Sequence, residues 1–255
     1  MNIFLSHLGR GLARFLSRER HVHGTAPVTP PSMLATVLRP GDVLLVEGNS
    51  RVSTAIKYLT QSTWSHAALY VGPMLGKHGR PPEHVLVEAD TVDGVRSVSL
   101  DALAMLPSRI CRPIGLTDAE CQRVCRYAIE RIGNHYDLRN VIDLARYLLP
   151  TPPVPLGMRR RMLSLGSGDP TRAICSTLVA QAFQSVRYPI LPEIERRRSE
   201  SPDCPACIEE IARIRHHSLF TPRDFDVSPY FQIVKPLLEQ GFDFHGLRWV
   251  DQTTA

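Results

Sequence analysis

Apolar positions along this chain follow two regimes, short strand-like runs before about residue 115 and helix-spaced stripes after it. Ser32 to Leu38 predicts a short helix, stopped by Arg39-Pro40-Gly41. Asp42-Val43-Leu44-Leu45-Val46-Glu47 is a compact β-branched apolar run and predicts a buried strand, broken by Gly48-Asn49-Ser50. Ser53 to Thr60 follows as a helix bearing Ile56, Tyr58 and Leu59. Ser65 to Gly72 predicts a second strand, with His66, Ala68 and Tyr70 on one face and Ala67, Leu69 and Val71 on the other. Gly72 to Pro82 is a Gly/Pro-rich loop. His84 to Asp90 is a third strand, presenting Leu86, Glu88 and Asp90 together. Asp93-Gly94 marks a hairpin into a strand near Val95–Leu100, and a further strand is expected around Arg109–Ile114. Strands 2 to 5 arrive at short spacing with no long helix between them, so an antiparallel meander is expected.

The second half predicts helices. Thr117 and Glu120 form a capping-box pattern before a helix that Gly133 ends. Tyr136-Asp137-Leu138 leads into an apolar helix over 138–149, ended by Pro150. In 171–186, Ile174, Leu178 and Ala182, and again Val179, Phe183 and Val186, recur at the spacing of a helix with a buried stripe. Strands first and helices after, sharing one core, make this an α+β chain: an antiparallel sheet packed against helices.

Composition narrows the function classes. The 255 residues carry 43% hydrophobic side chains, which suits a globular chain with a sizeable core. A formal net charge of +5 is compatible with an anionic surface, but no nucleic-acid module is recognisable, so no nucleic-acid partner is expected. Six cysteines in a chain this long do not form the pattern of a disulfide framework. No apolar run reaches the about 20 residues of a membrane span. Charges interrupt the first residues, and no secretory h-region follows, so a cytoplasmic location is expected. Residues 2–19 set Ile3, Leu5, Leu8, Leu12, Phe15 and Leu16 among Arg10, Arg14 and Arg18. That pattern fits a basic amphipathic helix lying peripherally on the inner membrane, or one docked on the domain or a partner. Residues 1–30 are thus read as arm and linker. Residues 31–255 are read as a single domain, with an insertion at 150–170 and a C-terminal extension at 190–255.

The candidate chemistry centres on Cys175, followed at once by Ser176 and Thr177. A thiol at a helix N-terminus meets unpaired N–H groups that favour its thiolate, whereas a lone cysteine is usually a small core residue. Asp169-Pro170 is an alternative helix start, and a start near Ile174 is the one expected. Nucleophilic thiol chemistry needs an imidazole base and an acceptor that orients it. If the strands 65–71 and 84–90 are neighbours, His66 and Glu88 can point the same way, with Asp90 as the other available acceptor.

Pro40-Gly41-Asp42-Val43-Leu44, the run Thr60 through Trp64-Ser65-His66-Ala67-Ala68-Leu69-Tyr70-Val71-Gly72, Tyr136-Asp137 and Cys175-Ser176-Thr177-Leu178-Val179 together resemble a known family. It is the circularly permuted branch of the NlpC-type papain-like cysteine hydrolases, the YaeF/YiiX group. The order of histidine strand, acceptor strand and cysteine helix is the permuted one. The resemblance covers about residues 36–190. It implies Cys175 as nucleophile, His66 as base and Glu88 as the orienting residue. Tyr136 and Ser176 become substrate-binding or oxyanion residues, beside the N–H of Cys175.

Cys204-Pro205-Ala206-Cys207, with His216-His217 nearby, has the spacing of half a zinc site, but no second pair follows. Neither metal nor cofactor is expected. The function implied is a thiol hydrolase, amidase, peptidase or esterase, acting on a small molecule, peptide or lipid through a Cys175 acyl-enzyme. A lipid acyltransferase on the same fold, or a non-catalytic membrane- or partner-binding module, are the alternatives.

Overall fold

The structure, a computed structural model, describes residues 28–90, 93–103, 105–134, 174–198 and 208–248. Eight strands are described: β1 (Val43–Val46), β2 (His66–Tyr70), β3 (His84–Asp90), β4 (Gly94–Ser99), β5 (Ser108–Pro113), β6 (Glu193–Arg198), β7 (Ile208–Arg213) and β8 (Phe231–Val234). The helices described are α1 (Pro31–Val37), α2 (Arg51–Thr60), α3 (Asp118–Ile129), α4 (Ile174–Gln184), α5 (Pro222–Asp226) and α6 (Pro236–Glu239). One sheet has six strands in the order β4-β3-β2-β1-β5-β8, and each neighbouring pair is antiparallel. The α+β architecture expected from the pattern is the one observed.

The sheet has a layer on each face. Val43 and Leu45 turn to one side, where they meet Val124, Cys125 and Ala128 of α3 and Leu178, Val179 and Ala182 of α4. Leu44 and Val46 turn to the other, where Leu34 and Val37 of α1 join Ala68, Leu86 and Ile110. With both faces covered, β1 is fully buried, which is why its sequence is continuously apolar instead of alternating.

Three expectations need correcting. β2, β3 and β4 form a meander, but β5 pairs with β1 on the opposite flank of β2, not with β4. A 3-10 turn over Gly72–His78 occupies much of the expected loop. The second half is not simply helical: β6 and β7 form a separate hairpin, and β8 extends the main sheet. The expected helix over 138–149 lies outside the described residues.

Local chemistry fixes the helix starts. Ser50 caps α2 by accepting from the N–H of Ser53 at 3.1 Å. Thr117 and Glu120 close the expected capping box on α3, with the Thr117 N–H donating to Glu120 at 3.0 Å. Gly41 is required on two counts: its φ of +93° lies in the left-handed region, and a Cβ there would meet Cys121 Sγ at 2.6 Å. Next to it the buried Asp42 carboxylate takes both Nε and Nη2 of Arg112, at 2.9 and 2.8 Å, and the Arg39 N–H at 2.8 Å. That fork ties the entry to β1 onto β5.

The segment after α4 belongs to the core. Phe225 and Phe231 pack edge-on at 5.6 Å, and Phe231 meets Phe183 of α4 at 5.2 Å. Tyr188 closes the group at 5.5 Å from Phe183. Its hydroxyl accepts the Ile114 N–H at 2.8 Å, so the burial of its polar end is matched. α4 is thereby wedged between the sheet and this aromatic cluster, which fixes the helix that carries Cys175.

Candidate active site

His66 opens β2, and Glu88 lies near the end of β3. The two strands pair with Ala68 opposite Glu88, so residues 66, 68 and 88 face the same way on the pleat. Extending this register sets Asp90 level with His66 and Glu88 one step diagonal to it. The bond formed is the diagonal one, with His66 Nε2 2.7 Å from Glu88 Oε2. Arg96 of β4, directly opposite Glu88, accounts for the choice. Its Nε donates to Glu88 Oε1 at 2.9 Å, its Nη1 to Asp93 at 2.6 Å, and its Nη2 lies 3.8 Å from Asp90. Asp90 is drawn toward the arginine while Glu88 is shared by arginine and histidine.

Cys175 lies in the first described turn of α4 and is 4% exposed. Its side chain lies within hydrogen-bonding reach of the His66 imidazole. Since Nε2 is engaged by Glu88, Nδ1 is the ring nitrogen left for the thiol. The structure therefore brings Cys175, His66 and Glu88 together in that order.

The electrostatics follow. Burial alone would depress the imidazolium of His66, but the negative charges of Cys175 and Glu88 overcome it and hold the ring well above its ordinary range. Burial likewise opposes the Glu88 charge. The adjacent His66 and Arg96 outweigh it and lower the carboxyl to about 2. A carboxylate only 4% exposed thus stays ionised because both of its oxygens meet cationic donors.

The other expected site residues fall elsewhere. Ser176 is fully buried, and its hydroxyl donates to the Phe220 carbonyl at 2.8 Å, tying α4 to the turn before α5. The substrate or oxyanion role expected of Ser176 therefore finds no support in its side chain. Tyr136, Cys204 and Cys207 lie outside the described residues, as does the arm at residues 2–19. Among the described residues, no group of three His, Cys, Asp or Glu side chains could hold a metal ion, and no helix is long and apolar enough to cross a membrane. His216 stacks on His217 at 4.0 Å and engages Ser218 through Nδ1 at 2.7 Å.

Arg96 is the residue that the sequence reading missed. The Asp93-Gly94 turn expected from the sequence does not find it: a two-residue turn there would set Ser99 opposite Glu88, whereas Asp90 pairs with Gly94 and Glu88 with Arg96.

An antiparallel sheet that presents a histidine and its carboxylate to a cysteine on a packed helix has the arrangement of the papain-like class. Residues 37–147 match the family described as permuted papain-like amidase enzyme, YaeF/YiiX, C92 family. Over that stretch the chain is similar to this family, whose description is that of a permuted papain-like amidase. The match contains His66 and Glu88 and ends before Cys175. The crystal structure of the metalloprotein YiiX from Escherichia coli O157:H7 is similar to this chain at 18% identity, with a TM-score of 0.45, covering 77% of this chain and 96% of that one. Among curated proteins there is no match.

Proposed function

We propose that the protein is a thiol hydrolase that cleaves an amide through an acyl-enzyme on Cys175. The observation that carries this reading is the position of His66, held by Glu88 through Nε2 and within reach of the Cys175 thiol. His66 takes the thiol proton, and Cys175 Sγ attacks the substrate carbonyl. The C–S bond forms, and the C–N bond breaks as the leaving amine takes the proton from His66. Water then adds to the thioester and gives its proton to His66. The acid departs, and the thiol is restored. Glu88 does not touch substrate: it fixes the ring and stabilises the imidazolium formed in each half-reaction. The backbone N–H of Cys175 is the donor assigned to the developing oxyanion.

The family supports an amidase. Esters follow the same chemistry, and a lipid acyltransferase differs only in the acceptor that resolves the thioester. The test is turnover of a fluorogenic library of amides and esters by wild type, Cys175→Ala and His66→Ala, with and without an alcohol acceptor. Turnover should fall by about a thousandfold or more in both variants. Turnover kept in Cys175→Ala overturns the proposal. Membrane or partner binding with no turnover in any protein would favour a non-catalytic module.

A further inference from the structure

A polar cleft of about 520 Å³ is lined by Glu47, Lys57, Trp64, Arg109, Arg223 and Asp226 among others. Two of its lining segments are linked to the proposed reacting pair, one along the chain and one through a hydrogen bond. Trp64 precedes His66 by two residues, about 7 Å of extended chain. The other segment, α5, follows Phe220, whose carbonyl is bonded to Ser176, the neighbour of Cys175.

The charges in the cleft do not balance. Lys57 is paired with Glu47 at 2.9 Å, and Arg109 with Asp226 at 2.6 Å. The second oxygen of Asp226 takes the Trp64 indole N–H at 3.0 Å, so that carboxylate is used on both sides. Arg109 also lies over the indole ring at 4.9 Å, which fixes its guanidinium against the cleft. Arg223 is exposed and has no carboxylate partner among the described residues. Three cations thus face two carboxylates, and the unmatched one has the planar fork that suits an oxyanion. A long acyl chain would find little apolar wall here, whereas a carboxylate would find a donor already in place.

We propose that this cleft is a subsite for a carboxylate on the substrate, such as an acidic side chain or a free α-carboxylate, bound by Arg223 while the scissile amide lies at Cys175. The assignment of substrate class rests on the thiol-hydrolase reading. The binding site itself does not.

The test uses Trp64 as the reporter in full-length protein carrying Trp249→Phe, which leaves Trp64 as the one tryptophan of the two. Its fluorescence is titrated at low salt with N-acetylglutamate, N-acetylglutamine and inorganic phosphate. N-acetylglutamate should bind about tenfold or more tightly than its neutral isostere. Arg223→Gln should erase that preference with no change in melting temperature, and Cys175→Ala should leave it intact. Equal binding of the glutamate and glutamine compounds, no binding of either, or a preference that persists in Arg223→Gln overturns the subsite, and tighter binding of phosphate overturns its assignment to a carboxylate. Binding retained without any turnover would leave the subsite standing and remove the hydrolase reading instead.

Discussion

Arg96 donates through Nε to Oε1 of Glu88 at 2.9 Å, the carboxylate oxygen that His66 does not use. Glu88 is therefore clamped from two sides, and its orientation toward His66 depends on a residue that touches neither the thiol nor the ring nitrogen facing it. Arg96 is a positioning residue in this account. Arg96→Met should lower kcat/KM about tenfold, with Arg96→Lys recovering part of the loss. Removing the cation also raises the Glu88 carboxyl from about 2, so acid inactivation should begin at higher pH in Arg96→Met. A pH profile of kcat/KM checks both. A uniform loss with an unmoved acid limb would mean that Arg96 serves only the hairpin.

Glu88→Gln keeps an acceptor near Nε2 but removes its charge. Because that charge helps hold His66 above its ordinary range, the imidazolium of the variant should deprotonate at lower pH. The alkaline limb of activity should move downward with it, and kcat/KM should fall about tenfold to a hundredfold. The His66 ring proton followed by NMR through a pH titration measures the shift directly.

The same carboxylate gives a stability signature of definite sign. Its folded value of about 2 lies below the ordinary 4.5, so its contribution is fully present above pH 4.5 and is lost as pH falls through 2. The difference corresponds to about 3 kcal/mol. Urea midpoints at pH 6 and near pH 2 should differ more for wild type than for Glu88→Gln, by an amount of that order.

Ser176 tests where structure ends and chemistry begins. Its hydroxyl is buried against the Phe220 carbonyl, and removing it leaves that acceptor without its donor. Ser176→Ala should cost about 1–2 kcal/mol in stability and change kcat/KM less than threefold at a temperature where the variant is folded. Thermal unfolding alongside turnover separates the two, and a large loss of turnover at full stability would return Ser176 to the site.

Much of this architecture is legible in local pattern. The alternation in residues 65–71 and 84–90 places His66 and Glu88 on compatible faces, and the Thr117-Glu120 pattern marks the start of α3. What local pattern does not hold is which strands become neighbours. β5 pairs with β1 because Cys111 and Ile110 extend the core on both faces of the sheet, a long-range choice with no signature in the segment itself. The Pro-rich tail conceals Phe220, Phe225 and Phe231, which are core residues without strand or helix periodicity. The choice of Glu88 over Asp90 depended on Arg96, two strands away from His66 in the sheet. Only the register of three strands together decides it.

The most direct measurement is where an acyl group lands. Wild type, Cys175→Ser and His66→Ala are mixed briefly with p-nitrophenyl acetate, quenched in acid and mapped by peptide mass spectrometry. The account predicts a stoichiometric acetyl thioester on the Cys175 peptide of wild type, formed at least a hundredfold more slowly in His66→Ala. Acetylation that is absent from Cys175, or that proceeds equally fast without His66, would contradict it.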